Sequence, residues 1–332
     1  MIKKAFRILK ATFGVVTNEK KLLDELYFGV YYESLLTDFH KVEEIKYSEG
    51  LDFYIIMLDE PGTPFDITVE DKRIFLTGAV LKATEETSDL RYTIFGNEGL
   101  LFRYVLMFLE KHYDVYSFHA CALYDEKTNQ MYIGPGGAGS GKTCLILKGL
   151  ELGLKLFATE MTHFSFVNGL TLYKGSLVDN VRIGNLKYSY PAITKKLKLK
   201  LPEAADEWGK KIAIDLEKLE TKFDSIKKVG ITIILPHIEE GRDENIVTDV
   251  KNTRVARKAL FDNISDKIAN NVLLYDMIPL EGFDEPVLMG KRFSAVDKLL
   301  NHVSRVAKVV GGSRSCWDGV LVKQKAKSKK EK

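Results

Sequence analysis

Residues 136–143 read GGAGSGKT, which satisfies the pattern of glycine, four residues, then Gly-Lys-Ser/Thr. No other segment constrains the fold as tightly. Such a loop works only when a strand enters it and a helix leaves it. Glycines let successive backbone N–H groups turn inward as a concave anion nest that a Cβ would obstruct. The helix beginning near Lys142 adds its positive dipole end and its unpaired N–H groups. Gly136, Gly137, Ala138, Gly139, Ser140, Gly141, Lys142, Thr143 and Cys144 are therefore expected to cradle the phosphates of ATP. Lys142 would reach the β and γ phosphates, and the Thr143 hydroxyl would ligate Mg²⁺.

The flanking sequence supplies that context. Residues 116–124 (YSFHACALY) and 131–133 (MYI) are apolar runs joined by the polar turn 125–130, which predicts a β-hairpin running straight into the loop. Residues 142–152 are leucine-rich at helical spacing, and Gly153 stands where a left-handed C-cap belongs. A strand over 154–158 follows, ending at Thr159-Glu160. Asn97 is expected to cap a helix running to about His112. Further strands are predicted at 52–58, 73–77, 164–166, 170–173 and 229–235, and helices at 254–261 and 293–306. Residues 22–36 are aromatic-rich and fit helix or strand. Lysine and leucine alternate over 195–200 (KKLKLK), which reads as an amphipathic strand with a wet face. Strands and helices intermix throughout, so the expected class is α/β or α+β around a central mixed sheet. Expected domains are an α+β module over 1–95, a phosphate-loop domain over 96–320, and a basic tail over 321–332.

Composition excludes several function classes. Apolar residues make up 45% and charged residues 29% of the 332, the balance of a globular protein with a core. No window approaches the roughly 18 apolar residues of a membrane span. Arg7 and Lys10 interrupt the apolar stretch that a signal peptide would need, so a cytoplasmic location is expected. Cys121, Cys144 and Cys316 form no CxxC pair and the six histidines no HExxH, which argues against a disulfide framework or a zinc site. The net charge of +3 hides a split: residues 323–332 carry six lysines and one glutamate, leaving the body at −2. Such a body is a poor general nucleic-acid binder, and only the tail is expected to touch RNA or an acidic surface.

The stretch from FHACAL through the turn DEKTNQ, MYIGPGGAGSGKT and the helix to Gly153, then LKLFATE, resembles the C-terminal catalytic domain of the HPr kinase/phosphorylase family, which is related to phosphoenolpyruvate carboxykinase. The likeness covers about residues 119–160 and is topological elsewhere. It implies a central mixed sheet in which the phosphate loop follows a β-hairpin. It also implies Mg-ATP as ligand, His119 beside the reacting phosphate, and two adjacent carboxylates that hold metal and act as acid/base. In this chain the pair is Thr159-Glu160, so one carboxylate is missing. Two repairs are open: Glu160 performs the acid/base work while Thr143 and water hold the metal, or His119, with an intrinsic pKa near 6.5, takes the proton. A residue at 276, Asp after VLLY, is a competing metal-ligand candidate, or a plain turn residue. The family's basic, glycine-containing acceptor loop has its nearest counterpart in 174–182, where Arg182 is the substrate-gripping candidate or an ordinary surface arginine.

Catalytic candidates are thus Glu160, His119 and Lys142, with Thr143 and Glu160 at the metal. The expected activity is a kinase moving the γ-phosphoryl of ATP to a hydroxyl of a serine, a peptide or a small molecule. A non-catalytic nucleotide-binding protein and a carboxykinase-like enzyme are the alternatives. The resemblance also makes a homo-oligomer an expectation.

Overall fold

The computed structural model describes residues 1–24, 27–28, 38–239, 241–242 and 244–321. The tail and most of the ambiguous stretch 22–36 therefore lie outside the described residues. The fold is mixed α and β, and the chain divides into two compact units. One comprises Met1–Val115 with Ser265–Met289, the other Tyr116–Ile264 with the described residues from Gly290 on. No helix among the described residues is long and apolar enough to cross a membrane.

The first unit is built on a six-stranded mixed sheet that opens with the hairpin Ile2–Ile8 and Ala11–Thr17. Strand Phe53–Asp59 lies parallel to both Ala11–Thr17 and Arg73–Gly78. Helix Leu100–Tyr113 belongs here, so the first unit ends at Val115 rather than 95. The reason is packing: the rings of Tyr104 and Phe108 meet Phe53 of this sheet at 4.8 and 5.3 Å. Gly99, not Asn97, is its N-cap, and Asp114 ends it in a left-handed turn. Asp276 also lies in this unit, exposed at positive φ, where its carboxylate accepts from the Ser88 N–H at 2.6 Å. It is a turn residue whose carboxylate is engaged within its own unit.

The second unit holds a nine-stranded sheet. Its centre is the hairpin Val115–Asp125 and Gln130–Pro135, antiparallel with Cys121 opposite Gly134. Met161–Ser165 borders the hairpin on one side, and Gly230–Glu239 lies parallel to it on the other. The period of two in Val115–Asp125 divides its side chains between two cores. Cys121 and Leu123 face the helix Lys142–Glu151, with Leu145, Ile146 and Leu150. Phe118, Ala120 and Ala122 face Leu260, Ile264, Val296 and Leu299. The sheet is thus covered on both faces, and each buried leucine is worth about 1.5–3 kcal/mol of burial.

Two predicted elements change type. Residues 303–306 open the strand Val303–Gly312, because helix Pro286–Leu300 ends earlier. Residues 195–197 close the helix Pro191–Leu197 instead of forming a strand. Pro191 sits in the first turn, where its missing N–H costs nothing. Ile193 and Leu197 then fall on one face and are buried, and Lys198 caps the end at φ 56°. Spacing of four outranks the lysine–leucine alternation, since it buries more apolar surface.

Candidate functional site

The hairpin's second strand ends at Pro135 and the helix starts at Lys142, so the glycine loop lies between strand and helix as the motif requires. Gly139 and Gly141 take φ of 81° and 98°, the left-handed region in which other residues are strained. At Gly141 space forbids a side chain as well, since a Cβ would lie 2.3 Å from Cβ of Ile238. One of its neighbours is tied to the same strand, the Ile238 N–H donating to the Ser140 carbonyl at 3.1 Å. Around Gly137 and Gly139 a Cβ would meet nothing within 4 Å. Gly137, Ala138 and Gly139 are exposed, while Gly136, Ser140, Gly141, Thr143 and Cys144 are half-buried. The crest of the loop is therefore open and its base is packed. The Ser140 hydroxyl is buried without a hydrogen-bond partner at that base. Gly141→Ala is expected to weaken ATP binding by about 5- to 150-fold, read by fluorescent-nucleotide titration, because strain of about 1–3 kcal/mol falls on the loop itself.

Lys142 is buried and draws the site together. Its Nζ donates to the Gly136 carbonyl at 2.7 Å and to that of Gly137 at 3.3 Å. The same atom lies 3.0 Å from Nε2 of His119 and 3.3 Å from Oε2 of Glu160. His119 Nε2 and Glu160 Oε2 are 3.0 Å apart. His119 shares the parity of Cys121, which is why it projects toward the loop helix. Its backbone is held from both sides: its carbonyl accepts from Gly136 N–H at 3.0 Å and from Asn263 Nδ2 at 2.9 Å. Glu160 stands at the bend between strands Lys155–Ala158 and Met161–Ser165, and its own carbonyl accepts from Ala120 N–H at 2.8 Å. The three catalytic candidates of the sequence are therefore in mutual contact.

Burial pushes the Glu160 carboxyl up, but the His119 hydrogen bond and the Lys142 charge outweigh it and hold it at about 2. It is ionised at neutral pH and committed to Lys142 and His119. Its bonds run to those two nitrogens and not to Thr143, the other residue expected at the metal.

Thr143 faces a different carboxylate. Asp179, on strand Val178–Arg182, is buried beside Thr143, whose hydroxyl works to lower its carboxyl. Its Oδ2 has no hydrogen-bond partner. Burial first, and the nearby Glu160 charge second, push its carboxyl up to about 7. Thr159 explains how it arrives. Fully buried, the Thr159 hydroxyl donates to the carbonyls of Ser176 at 2.9 Å and Val178 at 2.6 Å. The threonine that breaks the adjacent-carboxylate pair thus pins the segment that brings a second carboxylate. The only signal for Asp179 in the sequence was its place in the stretch 174–182, three residues before Arg182. Alternation on that strand turns Asp179 and Val181 inward and leaves Arg182 exposed, opposite Lys211 in register. The structure therefore does not bring Arg182 to the Lys142 cluster.

Among the described residues no group of three or more His, Cys, Asp and Glu side chains is arranged to hold a metal by itself. A hydroxyl beside a buried carboxylate with an unpartnered oxygen instead fits a hard cation that takes its remaining ligands from phosphate and water. Comparison with protein families finds no matching family model, and comparison with curated proteins finds no match.

Proposed function

We propose that this chain binds Mg-ATP on the loop and transfers its γ-phosphoryl group to a hydroxyl, as HPr kinase-like proteins do. The observation that carries the reading is the mutual contact of Lys142, His119 and Glu160, with the buried carboxyl of Asp179 close enough to feel Thr143, Glu160 and Lys142. Phosphoryl transfer asks little covalent chemistry of a protein; positioning and charge neutralisation do most of it.

Thr143 and Asp179 would hold Mg²⁺, which supplies neutralisation of charge on the phosphate oxygens. Lys142 turns from the Gly136 carbonyl and Glu160 to the phosphates, whose charge attracts it more strongly than one carboxylate. Glu160 then loses the ammonium that kept its carboxyl low and gains phosphate anions nearby. Both changes raise its proton affinity, so it becomes a base for the acceptor hydroxyl while still bonded to His119. The alternative of a binding protein without chemistry draws on the same depressed carboxyl, which is a poor base unless Lys142 leaves it.

Purified protein with γ-labelled ATP, Mg²⁺ and a panel of hydroxyl acceptors (serine, serine-containing peptides, cell extract) tests the proposal. Label moving to an alcohol ester supports it. Tight ATP binding with no transfer and no hydrolysis supports the binding-only reading. Lys142→Ala should raise the ATP Kd by about ten- to hundredfold, the worth of a charge-assisted contact, as measured by calorimetry.

A further inference from the structure

Between strand Val178–Arg182 and its antiparallel partner Lys211–Asp215, residues 183–210 make an excursion. Its inner side is apolar: Leu186, Tyr190, Ile193 and Leu197 pack in the core with Leu145 and Leu150 of the loop helix. The Tyr190 hydroxyl donates to the Ser313 carbonyl at 2.8 Å. Its outer side is basic. Lys195, Lys196, Lys198, Lys200, Lys210 and Lys211 are all exposed, and no hydrogen bond or ion pair engages their ammonium groups among the described residues.

The acids of this segment are mostly occupied. Glu207 is bonded to Lys187 and to the Tyr188 hydroxyl, both at 2.7 Å, and Asp206 accepts from the Gly209 N–H at 2.7 Å. Glu203 alone stays uncommitted. On the same excursion two rings lie open, with Lys187 Nζ 5.2 Å from the centroid of the Tyr188 ring. Tyr188 is 50% and Trp208 40% exposed, and they stack at 6.0 Å with 26° between planes. The indole rests on Gly184, where a Cβ would come within 2.5 Å of it, so its orientation is built in.

We propose that this outer face binds single-stranded nucleic acid, with ammonium groups on the phosphodiesters and a base stacked on the Tyr188–Trp208 pair. Lysines supply point charges that follow a backbone without reading base edges. Open aromatic faces amid such charges are the other half of a single-strand platform, since every base has a π face. An acidic peptide would match the charges but would gain nothing from the rings. A duplex would keep its bases from them. The body's net charge hides this face because acids elsewhere offset it.

The test uses the full chain and fluorescein-labelled oligo(U) and oligo(dT) of about 15 nucleotides, a length on the scale of known single-strand sites. Binding is followed by anisotropy from about 50 to about 200 mM salt, alongside tryptophan emission. Trp208 is exposed and Trp317 buried, so quenching reports the platform. Replacing Lys195, Lys196, Lys198 and Lys200 by Gln should flatten the log–log salt slope by about 3, at roughly 0.7 per contact. Trp208→Ala should weaken binding about tenfold with the slope unchanged. Exposed Lys→Gln changes leave the core intact, so they remain informative if the Trp208 variant misfolds. The proposal is overturned if the four-lysine variant binds like the parent while replacing the lysines of 323–332 abolishes binding. It is equally overturned if poly-glutamate, but neither oligonucleotide, quenches Trp208, or if duplex competes as well as single strand.

Discussion

Glu160→Gln should lower phosphoryl transfer by about 10²–10⁴-fold, the usual worth of a positioned general base. ATP binding should be unchanged or tighter. The second half distinguishes chemistry from damage. Glu160 holds the Lys142 ammonium at 3.3 Å, so removing its charge frees Lys142 for phosphate. A variant that binds ATP normally and does not transfer has lost a base; one that fails to bind has lost the site. Single-turnover transfer and equilibrium titration on the same preparation separate the two. If transfer proceeds at the parental rate, Glu160 is not the base and His119, which it touches, is the remaining candidate. The substitution should also show in acid. The folded carboxyl sits at about 2 against an ordinary 4.5, so its stabilisation is fully present above about pH 4.5. It is lost as pH falls toward 2, and the variant should lack that part of the acid limb.

Asp179→Asn should produce an opposite pairing of effects: a more stable protein without Mg²⁺-dependent activity. Asp179 is an acid whose folded pKa is raised to about 7 from 3.8. The folded state therefore binds more protons than the unfolded chain between those values, and stability falls as pH rises through the window. Above pH 7 the buried charge is a standing cost. Asparagine keeps the shape, removes the charge, and should raise stability at pH 8 by at least about 1.4 kcal/mol, the equivalent of one pKa unit. Near pH 4 the difference should vanish. Melting curves in metal-free buffer across pH read this directly. Transfer should meanwhile fall by about 10²–10³-fold, with the Mg²⁺ requirement raised, because a charged clamp on the phosphates is gone. Stability gained at the expense of activity is what a functional residue predicts. Destabilisation at pH 8 would mean Asp179 is structural.

Legibility differed sharply between the two carboxylates. Glu160 follows a hydrophobic strand directly after the loop helix, so hydrogen bonds of regular structure carry it to Lys142, and local pattern suffices to place it. Asp179 lies 36 residues after Thr143 in an unremarkable VDNVR, and its approach depends on Thr159 bonding two carbonyls of a distant segment. No periodicity encodes such a contact. Thr159 itself reads in sequence as a lost carboxylate, whereas in three dimensions it is the anchor for another.

The same division runs through the fold. Elements whose pattern matches their burial came through with small shifts: the hairpin, the helix Lys142–Glu151 with Gly153 at φ 89°, and strand Gly230–Glu239. Where two periods competed, as in KKLKLK, only packing chose, burying Ile193 and Leu197 against the loop helix. Helix Leu100–Tyr113 was legible as a helix but not as a member of the first unit, because amphipathic spacing shows that a face is buried and not what it meets.

By itself, then, the sequence determined the loop. Eight consecutive residues carry its backbone freedom, its lysine and its hydroxyl, and their spacing is a local property that survives without a fold. Tertiary structure alone decided what surrounds it. It turned Glu160 to Lys142 and His119, brought Asp179 to Thr143, and left Arg182 facing outward. Those choices rest on strand parity and on hydrogen bonds between segments far apart in the chain, which a linear pattern does not record.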